Sequence, residues 1–580
     1  MNQIDLGLIA LLLVALVSGR VPTAVAFMGF ILAVMLLNRI PSPEALAMLA
    51  EPASIGVLCL VVFSSVLGRL SWLRNALFSR RPSSAGAIRA RFLGMATIIS
   101  AAMPNTAVVG ALMGPAARNA RVPARQLLLP LSYAALAGGM VTQFGTSANL
   151  MVVGQAARQG VSLGFLDFVL PGLATAAAVY VVLLFVAPPL MRAQDTETAS
   201  STPKLFHVEA RVPLGSPLVG KTLAENHLRH LSHFYVAEII RGERLITPAR
   251  PEEILQDGDT LIFVGDVSHV DELMLIPGLQ VIDEVRTRSG MQVHLAVVNQ
   301  TSALIGSTLR DFKFRANFNA SVFAIRRGHE RLSGKLGEVE LKAGDLLAIA
   351  GGGDFLAHAE VGSHFHLILR DDTPVTTLSR SESLIATVLF ALFVGSAILD
   401  LINFGLLTVL LVAVAMAFSL IRARDLRMLF PFELMVALWG SLMLASLVTR
   451  TGLDGVAARA IAEGVGISGH LGALLAIFVL AWALTELLSN VAAALTAVPI
   501  ALQFATISGL PPEAAALAAA FGASASFLVP FGYQTHLMVM SPGNYRIRDF
   551  LKLGTVVLLA YGTAAVGALW LLAGPVGYWD

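Results

Sequence analysis

Residues 471–503 read LGALLAIFVLAWALTELLSNVAAALTAVPIALQ, an apolar run broken once, at Ser489-Asn490-Val491. A second run, residues 92–117, is broken in the same manner at Pro104-Asn105-Thr106. Each pattern predicts two half-length helices meeting at a polar tip, a re-entrant hairpin that enters and leaves on one side of a bilayer. Backbone that leaves helical geometry at membrane depth is tolerated only where it lines a cavity or is packed in protein. A kinked ordinary span is the competing reading of either run alone.

Composition supplies the bilayer. Of 580 residues, 56% are hydrophobic and 13% charged, against roughly 25% charged in a soluble protein, and the mean hydropathy is +0.75. A single soluble core does not grow this large and this apolar, so lipid acts as solvent. Spanning takes about 20 apolar residues in a helix. Spans are predicted at 4–18, 23–37, 54–70, 126–155 and 166–191, then at 384–400, 404–421, 432–448, 514–540 and 550–572. The net charge of +2 gives no reason to expect nucleic acid, because most of the arginine lies in short loops between apolar runs. The single Cys59 excludes an internal disulfide and a multi-Cys metal site. The first run begins near Ile4 without a basic n-region or small-residue cleavage site, which predicts a retained helix.

If the hairpins do not cross, five crossings precede the middle of the chain and five follow it. Loops then assigned to the cytosol carry Arg69, Arg74, Arg80, Arg81, Arg89, Arg91, Arg118, Arg121 and Arg125, and later Arg422, Arg424, Arg427, Arg546, Arg548 and Lys552. Outer loops carry only Arg39, Arg158, Arg450 and Arg459. This bias predicts both termini outside and a cytosolic insert. Internal symmetry agrees. Phe144-Gly145-Thr146-Ser147-Ala148-Asn149-Leu150-Met151-Val152 aligns with Phe531-Gly532-Tyr533-Gln534-Thr535-His536-Leu537-Met538-Val539, and each tip asparagine is followed by a proline, Pro115 or Pro499. Inverted repeats with interrupted helices point to a midplane site in a secondary transporter. The expected fold is an all-α polytopic membrane protein of inverted repeats, each with a re-entrant hairpin and a broken helix.

Between the halves the charge density rises and β-type runs alternate with turn signals. Ser216–Leu223 matches Ser302–Leu309, Arg241-Gly242 matches Arg327-Gly328, Gly258-Asp259 matches Gly344-Asp345, and Gly265 matches Gly351. All share one offset, so the insert is a tandem repeat of two small α+β domains. The predicted organisation is membrane half 1 at 1–191, cytosolic domains at 205–285 and 291–370 after a linker at 193–204, and membrane half 2 at 381–580.

These motifs resemble a known family. The halves are similar to the divalent anion/sodium symporter (DASS) family, within the superfamily that also holds arsenite and sodium/proton transporters. The second half is the more specific, in Ser489-Asn490, Pro530-Phe531-Gly532-Tyr533-Gln534-Thr535 and Pro542-Gly543-Asn544-Tyr545. The insert resembles paired TrkA-C (RCK-C) domains. The resemblance implies a homodimer in a bacterial inner membrane, an elevator mechanism, and hairpin tips that bind substrate and Na⁺ together with the unwound loops facing them. Carried onto this chain, substrate contacts fall at Asn105, Thr106, Thr146, Ser147, Ser489, Asn490 and Thr535. Na⁺ sites fall at Asn105, Gly145, Asn149, Asn490 and Gly532. Pro104, Val491 and His536 depart from the family's usual Ser, Thr and Asn. The TrkA-C domains imply either a regulatory nucleotide or a structural, dimerising role; Gly351-Gly352-Gly353 lacks the G-x-G-x-x-G spacing of a Rossmann fingerprint.

The residue types suit a small divalent anion. Buried Lys or Arg is expensive when the site is empty, and neither tip nor facing loop contains one. Half-helix N-termini and neutral Asn, Ser and Thr donors replace them, while backbone carbonyls and side-chain oxygens can hold Na⁺. Glu486 and His536 are the ionisable exceptions, read either as structural hydrogen-bonding groups or as coupling groups. Symport of sulfate is the leading expectation, then of C4-dicarboxylate or citrate. A cation/proton antiporter, proton-coupled anion transport and a ligand-gated channel are the alternatives. No nucleophile–base pair, metal cluster or P-loop suggests an enzyme.

Overall fold

An apolar run in lipid leaves the backbone no hydrogen-bond partner but itself, so membrane-length runs become helices. The computed structural model describes residues 3–18, 21, 23–67, 69–70, 84–117, 119, 121–191, 205–228, 231, 234–242, 244–246, 249–266, 273, 275–281, 292–299, 302–332, 336–351, 355, 364–368, 378–399, 401–422, 426, 430, 432–465, 469–574 and 576–579. The linker 193–204 and the loop residues Arg74, Arg80, Arg81, Arg118, Arg424 and Arg427 lie outside them. Met1–Arg192 and Asp371–Asp580 form one compact unit, and Ala193–Arg370 forms another.

The first part of the helical unit comprises α1 (Gln3–Ser18), α2 (Thr23–Leu36), α3 (Ser42–Leu49), α4 (Pro52–Leu67), α5 (Ala85–Ser100), α6 (Asn105–Ala117), α7 (Leu128–Gly139), α8 (Ser147–Arg158) and α9 (Phe165–Phe185). The second comprises α10 (Arg380–Ile398), α11 (Phe404–Ala417), α12 (Phe432–Thr451), α13 (Leu453–Val465), α14 (Gly469–Leu487), α15 (Asn490–Ser508), α16 (Pro512–Ala523), α17 (Gln534–Met540) and α18 (Ile547–Ala573). Seven helical stretches among the described residues are long and apolar enough to cross a membrane.

The two parts pack on one another in pairs. Helix α4 packs on α11, α12 on α2, and α9 on α18. The outgoing hairpin arms cross over: α6 packs on α17 of the second part, and α15 packs on α8 of the first. Helix α7 is buried along its whole length, and α16 is buried from Ala514 to Ala523. Small residues let these two central helices approach the incoming arms. A Cβ on Gly138 would run into the Thr97 backbone on α5, and one on Gly522 would meet Phe478 O at 2.5 Å on α14.

The structure corrects three expectations. The arms of the second hairpin are not half-length: α14 and α15 have 19 residues each, about 28 Å at 1.5 Å per residue. The apolar run extends beyond 471–503 on both sides, so nothing stops either arm sooner. Two helices, α3 and α13, lie where the hydropathy pattern predicts loops; α13 mixes Asp454, Arg459 and Glu463 into its apolar spacing. The facing loops, expected at 145–149 and 532–536, begin and end earlier in the chain. Ser147, Ala148 and Asn149 already belong to α8, and Gln534, Thr535 and His536 to α17, leaving 140–146 and 524–533 as the non-α-helical segments. Of the outer-loop arginines, Arg39 pairs with Asp5, Arg158 with Glu51 and Arg450 with Glu44.

The second unit holds two five-stranded antiparallel sheets. The strands are β1 (Leu205–Arg211), β2 (Phe234–Arg241), β3 (Arg244–Ile246), β4 (Thr260–Asp266) and β5 (Gln280–Val281), then β6 (Gln292–Val298), β7 (Ala320–Arg327), β8 (Glu330–Leu332), β9 (Leu346–Gly351) and β10 (Phe365–Ile368). The orders β3-β2-β4-β1-β5 and β8-β7-β9-β6-β10 are the same topology twice. The repeat reaches into detail: a register shift at Val236/Glu238 recurs at Val322/Ala324, and the bridge Thr222–Ile254 recurs as Thr308–Glu340. The Arg-Gly and Gly-Asp blocks also find each other. Arg241 donates from Nε and Nη2 to Asp259, both at 2.9 Å. Arg327 does the same to Asp345 at 2.8 and 2.7 Å. Those hydrogen bonds raise the pKa of both arginines, and each aspartate side chain is fully buried. The motif thus closes each sheet internally.

Candidate polar site at the hairpin tips and helix breaks

Both tips are built alike. Asn105 and Asn490 begin the outgoing arms α6 and α15, and each is buried. The residue five positions earlier donates a hydroxyl to the tip carbonyl: Ser100 Oγ to Asn105 Oδ1 at 2.7 Å, Thr485 Oγ1 to Asn490 Oδ1 at 2.9 Å. Asn105 also donates from Nδ2 to the Tyr533 hydroxyl at 2.9 Å, which joins the first tip to the second break. Asn490 accepts a further bond from Ser526 Oγ at 3.2 Å. Ser489 caps α15, its Oγ accepting from the Ala492 amide at 3.4 Å, because a helix start leaves its first amides without partners.

The breaks are pinned equivalently. In the first, Thr146 caps α8 by accepting from the Asn149 amide at 3.2 Å, and Asn149 Nδ2 donates to the Thr142 carbonyl at 3.0 Å. Thr142 lies three residues past the end of α7. In the second, His536 Nε2 faces the Ser526 carbonyl at 2.6 Å, and Ser526 lies three residues past the end of α16. A carbonyl only accepts, so Nε2 carries a proton, and Nδ1 shares a hydrogen bond with Ser132 Oγ at 2.7 Å. Ser132, on α7, also bonds Thr535 Oγ1 at 2.6 Å. The two breaks differ in one respect. The imidazole has both nitrogens engaged, whereas Asn149 Oδ1 is buried with no partner among the described residues.

Asn105, Asn490, Thr146, Asn149, Thr535 and His536 are therefore brought into two linked polar clusters, with Gly145 beside Gly139 at the first break. Gly532 lies in a short 3-10 turn ahead of α17. Thr106 and Ser147 are partly exposed and Ser489 is exposed at the rim. Glu486 Oε1 accepts from Trp482 Nε1 at 3.2 Å on its own helix, and its carboxylate also meets the Leu528 backbone in the second break. Ser100, Ser132, Thr485 and Ser526 join the site without a place in any sequence motif, whereas Tyr533 belongs to the second facing loop. A hydroxyl five residues before each tip asparagine was the available signal. Tyr545, in the Pro542–Tyr545 motif, is fully buried and ties this region to α7: it accepts from the Leu129 amide at 2.8 Å and donates to the Arg125 carbonyl at 2.6 Å. Among the described residues no three His, Cys, Asp or Glu side chains converge as metal ligands. A cation here would meet neutral oxygens.

Long apolar helices around paired polar breaks define a multi-pass membrane protein with a polar site inside its helix bundle. The chain belongs to the citrate transporter family, whose sequence profile matches residues 12–572. It is 29% identical to "Uncharacterized transporter sll0640" of Synechocystis sp. over 90% of this chain and 90% of that protein. "Sodium/sulfate cotransporter 1" of Chlamydomonas reinhardtii is 28% identical over 60% of this chain and 41% of that protein. The solved YdaH transporter of Alcanivorax borkumensis aligns with 92% of this chain and 87% of its own, at 12% identity and a TM-score of 0.42. The family and these relatives are transporters, so this chain is a membrane transporter and not an enzyme.

Proposed function

We propose that the chain is a secondary active symporter carrying a divalent anion with Na⁺, sulfate first and C4-dicarboxylate or citrate next. The observation that carries the reading is the matched pair of tips: a buried asparagine held by a hydroxyl five residues upstream, twice, beside a broken helix. Neither tip nor either loop contains Lys or Arg, so a dianion would be held by helix N-termini and neutral donors. The unpartnered Asn149 Oδ1, with the Asn105 carbonyl and the break carbonyls near Gly145, supports a Na⁺ site in the first half. Asn490, Thr485 and Ser526 support a second, near Gly532. The sodium/sulfate cotransporter relative favours this cargo and this ion.

In this reading the halves are inverted repeats in a homodimer, with both termini outside a bacterial inner membrane. The pair α4/α12 serves as the fixed face along which α8 and α15 slide in an elevator movement; α4 packs on α8, and α12 on α15. The two-sheet unit corresponds to cytosolic TrkA-C domains that regulate transport through a bound nucleotide. Proton coupling through His536 is the second reading; a protonated ring would donate from Nε2 to the Ser526 carbonyl and from Nδ1 to Ser132 Oγ. Uptake of labelled sulfate, succinate and citrate into proteoliposomes, with and without Na⁺ or pH gradients, tests the proposal. Absence of uptake for every dianion overturns it. A nucleotide panel in thermal-shift assays, with no compound shifting the protein, overturns the regulatory part.

A further inference from the structure

Thr146 and Tyr533 hold the same place in the two halves. Each follows Phe-Gly, each is the residue before its helix, and their backbones agree, at φ −134°, ψ 146° and φ −145°, ψ 141°. Their side chains do different things. Thr146 turns back and caps its own helix. Tyr533 makes no cap; its ring stands edge-on to His536 at 5.9 Å, and its hydroxyl reaches across to the opposite tip and accepts from Asn105. A phenol that accepts one bond still has its own hydrogen to give. Among the described residues the Tyr533 hydroxyl donates no hydrogen bond. Tyr533 remains partly exposed while Thr535 and His536 are fully buried.

We propose that Tyr533 determines the size of cargo this transporter accepts, fitting it to a compact tetrahedral oxyanion such as sulfate, to which its hydroxyl donates. The inference rests on the anion-symport reading and deepens it. A compact dianion needs donors that converge on one centre, and Tyr533 adds one beside Asn105. A C4-dicarboxylate needs a carboxylate pocket at each end and a clear path between the tips. At the place where the first half has threonine, the second half puts a phenol, and its greater length brings the hydroxyl to Asn105 at the first tip.

The test uses the full chain in proteoliposomes, with labelled sulfate and labelled succinate. Tyr533→Phe keeps the ring against His536 and removes only the hydroxyl; we expect the sulfate KM to rise about tenfold, as for loss of one hydrogen bond to a charged group, with kcat little changed. Tyr533→Thr restores the first-half residue and is expected to raise the succinate-to-sulfate ratio of kcat/KM by about tenfold or more. Should Tyr533→Thr fail to fold, competition in the wild type decides the size argument: excess succinate is expected to leave sulfate uptake unchanged. A wild-type sulfate KM in Tyr533→Phe, an unchanged ratio in Tyr533→Thr, or strong competition by succinate overturns the inference and leaves dianion symport standing. No uptake of any dianion by the wild type overturns the symport reading, and the inference falls with it.

Discussion

A methyl group added at Gly139 would press on Asn105 Oδ1, with Thr146 Cγ2 at 3.0 Å and Asn105 Cγ at 3.2 Å. Gly139→Ala therefore tests whether the first tip is held where the site needs it. In a free helix this change stabilises by about 0.5–1 kcal/mol. Here overpacking opposes it by about 1–3 kcal/mol, and turning Asn105 away forfeits its bonds to Ser100 and Tyr533, at about 1 kcal/mol each. Even at the low end of these ranges a net loss of about 2 kcal/mol falls on the tip, roughly thirtyfold in an equilibrium constant. The expected result is a substrate KM raised about tenfold or more, with the melting temperature in detergent unchanged or lower. Gly110→Ala is the control, because its methyl would meet only Met538 Cε at 3.5 Å; it should transport like the wild type. A wild-type KM in Gly139→Ala, or a gain in stability, would refute the assignment of Asn105 to the site.

His536→Leu strands the Ser526 carbonyl in a buried place, while Ser132 keeps Thr535; the expected loss is about 1–3 kcal/mol, visible in thermal unfolding. His536→Asn should leave the pH profile of uptake unaltered; a pH optimum that vanishes in it would make His536 the proton carrier. Arg327→Ala leaves the buried Asp345 carboxylate without its partner and should destabilise the second sheet by about 2–4 kcal/mol, read as faster amide exchange in 346–351. Burial pushes the His366 pKa down to about 4. The unfolded imidazole therefore takes up a proton near pH 6.5 while the folded one does not. Stability present above that pH is lost as the pH falls towards 4, by about 2 kcal/mol at pH 5. Amide exchange in 292–298 should accelerate over this window, and His366→Gln should abolish the acceleration.

The tips and the tandem insert were legible because their signals are local. A polar triplet inside an apolar run has few meanings in a membrane, and a constant offset marks a repeat whatever its fold. Arg327 and Asp345 could be read as a motif, though not as partners of one another. What went unread is non-local. Asn105 meets Tyr533 across 428 positions, and Ser132 meets His536 across 404; no periodicity encodes such a pairing. Helix α13 escaped for the opposite reason. Its apolar positions, Leu453, Ala457 and Ile461, follow helical spacing, but its charges lower the average hydropathy that finds spans. The arm lengths were misjudged because the break was expected to interrupt the helices more deeply than one or two residues can.

The bond between Asn105 and Tyr533 also has a history. A ribosome adding about 5–20 residues per second needs roughly 20–90 s to travel from one to the other. For that interval the first half enters the bilayer with a polar tip whose outward partner has not been made. Each sheet of the intervening unit, by contrast, draws its strands from fewer than 90 consecutive residues and can close while synthesis continues. Assembly of the first half must stay provisional until the last fifty residues emerge, so truncations near the C-terminus should be cleared by quality control as severely as those in the middle.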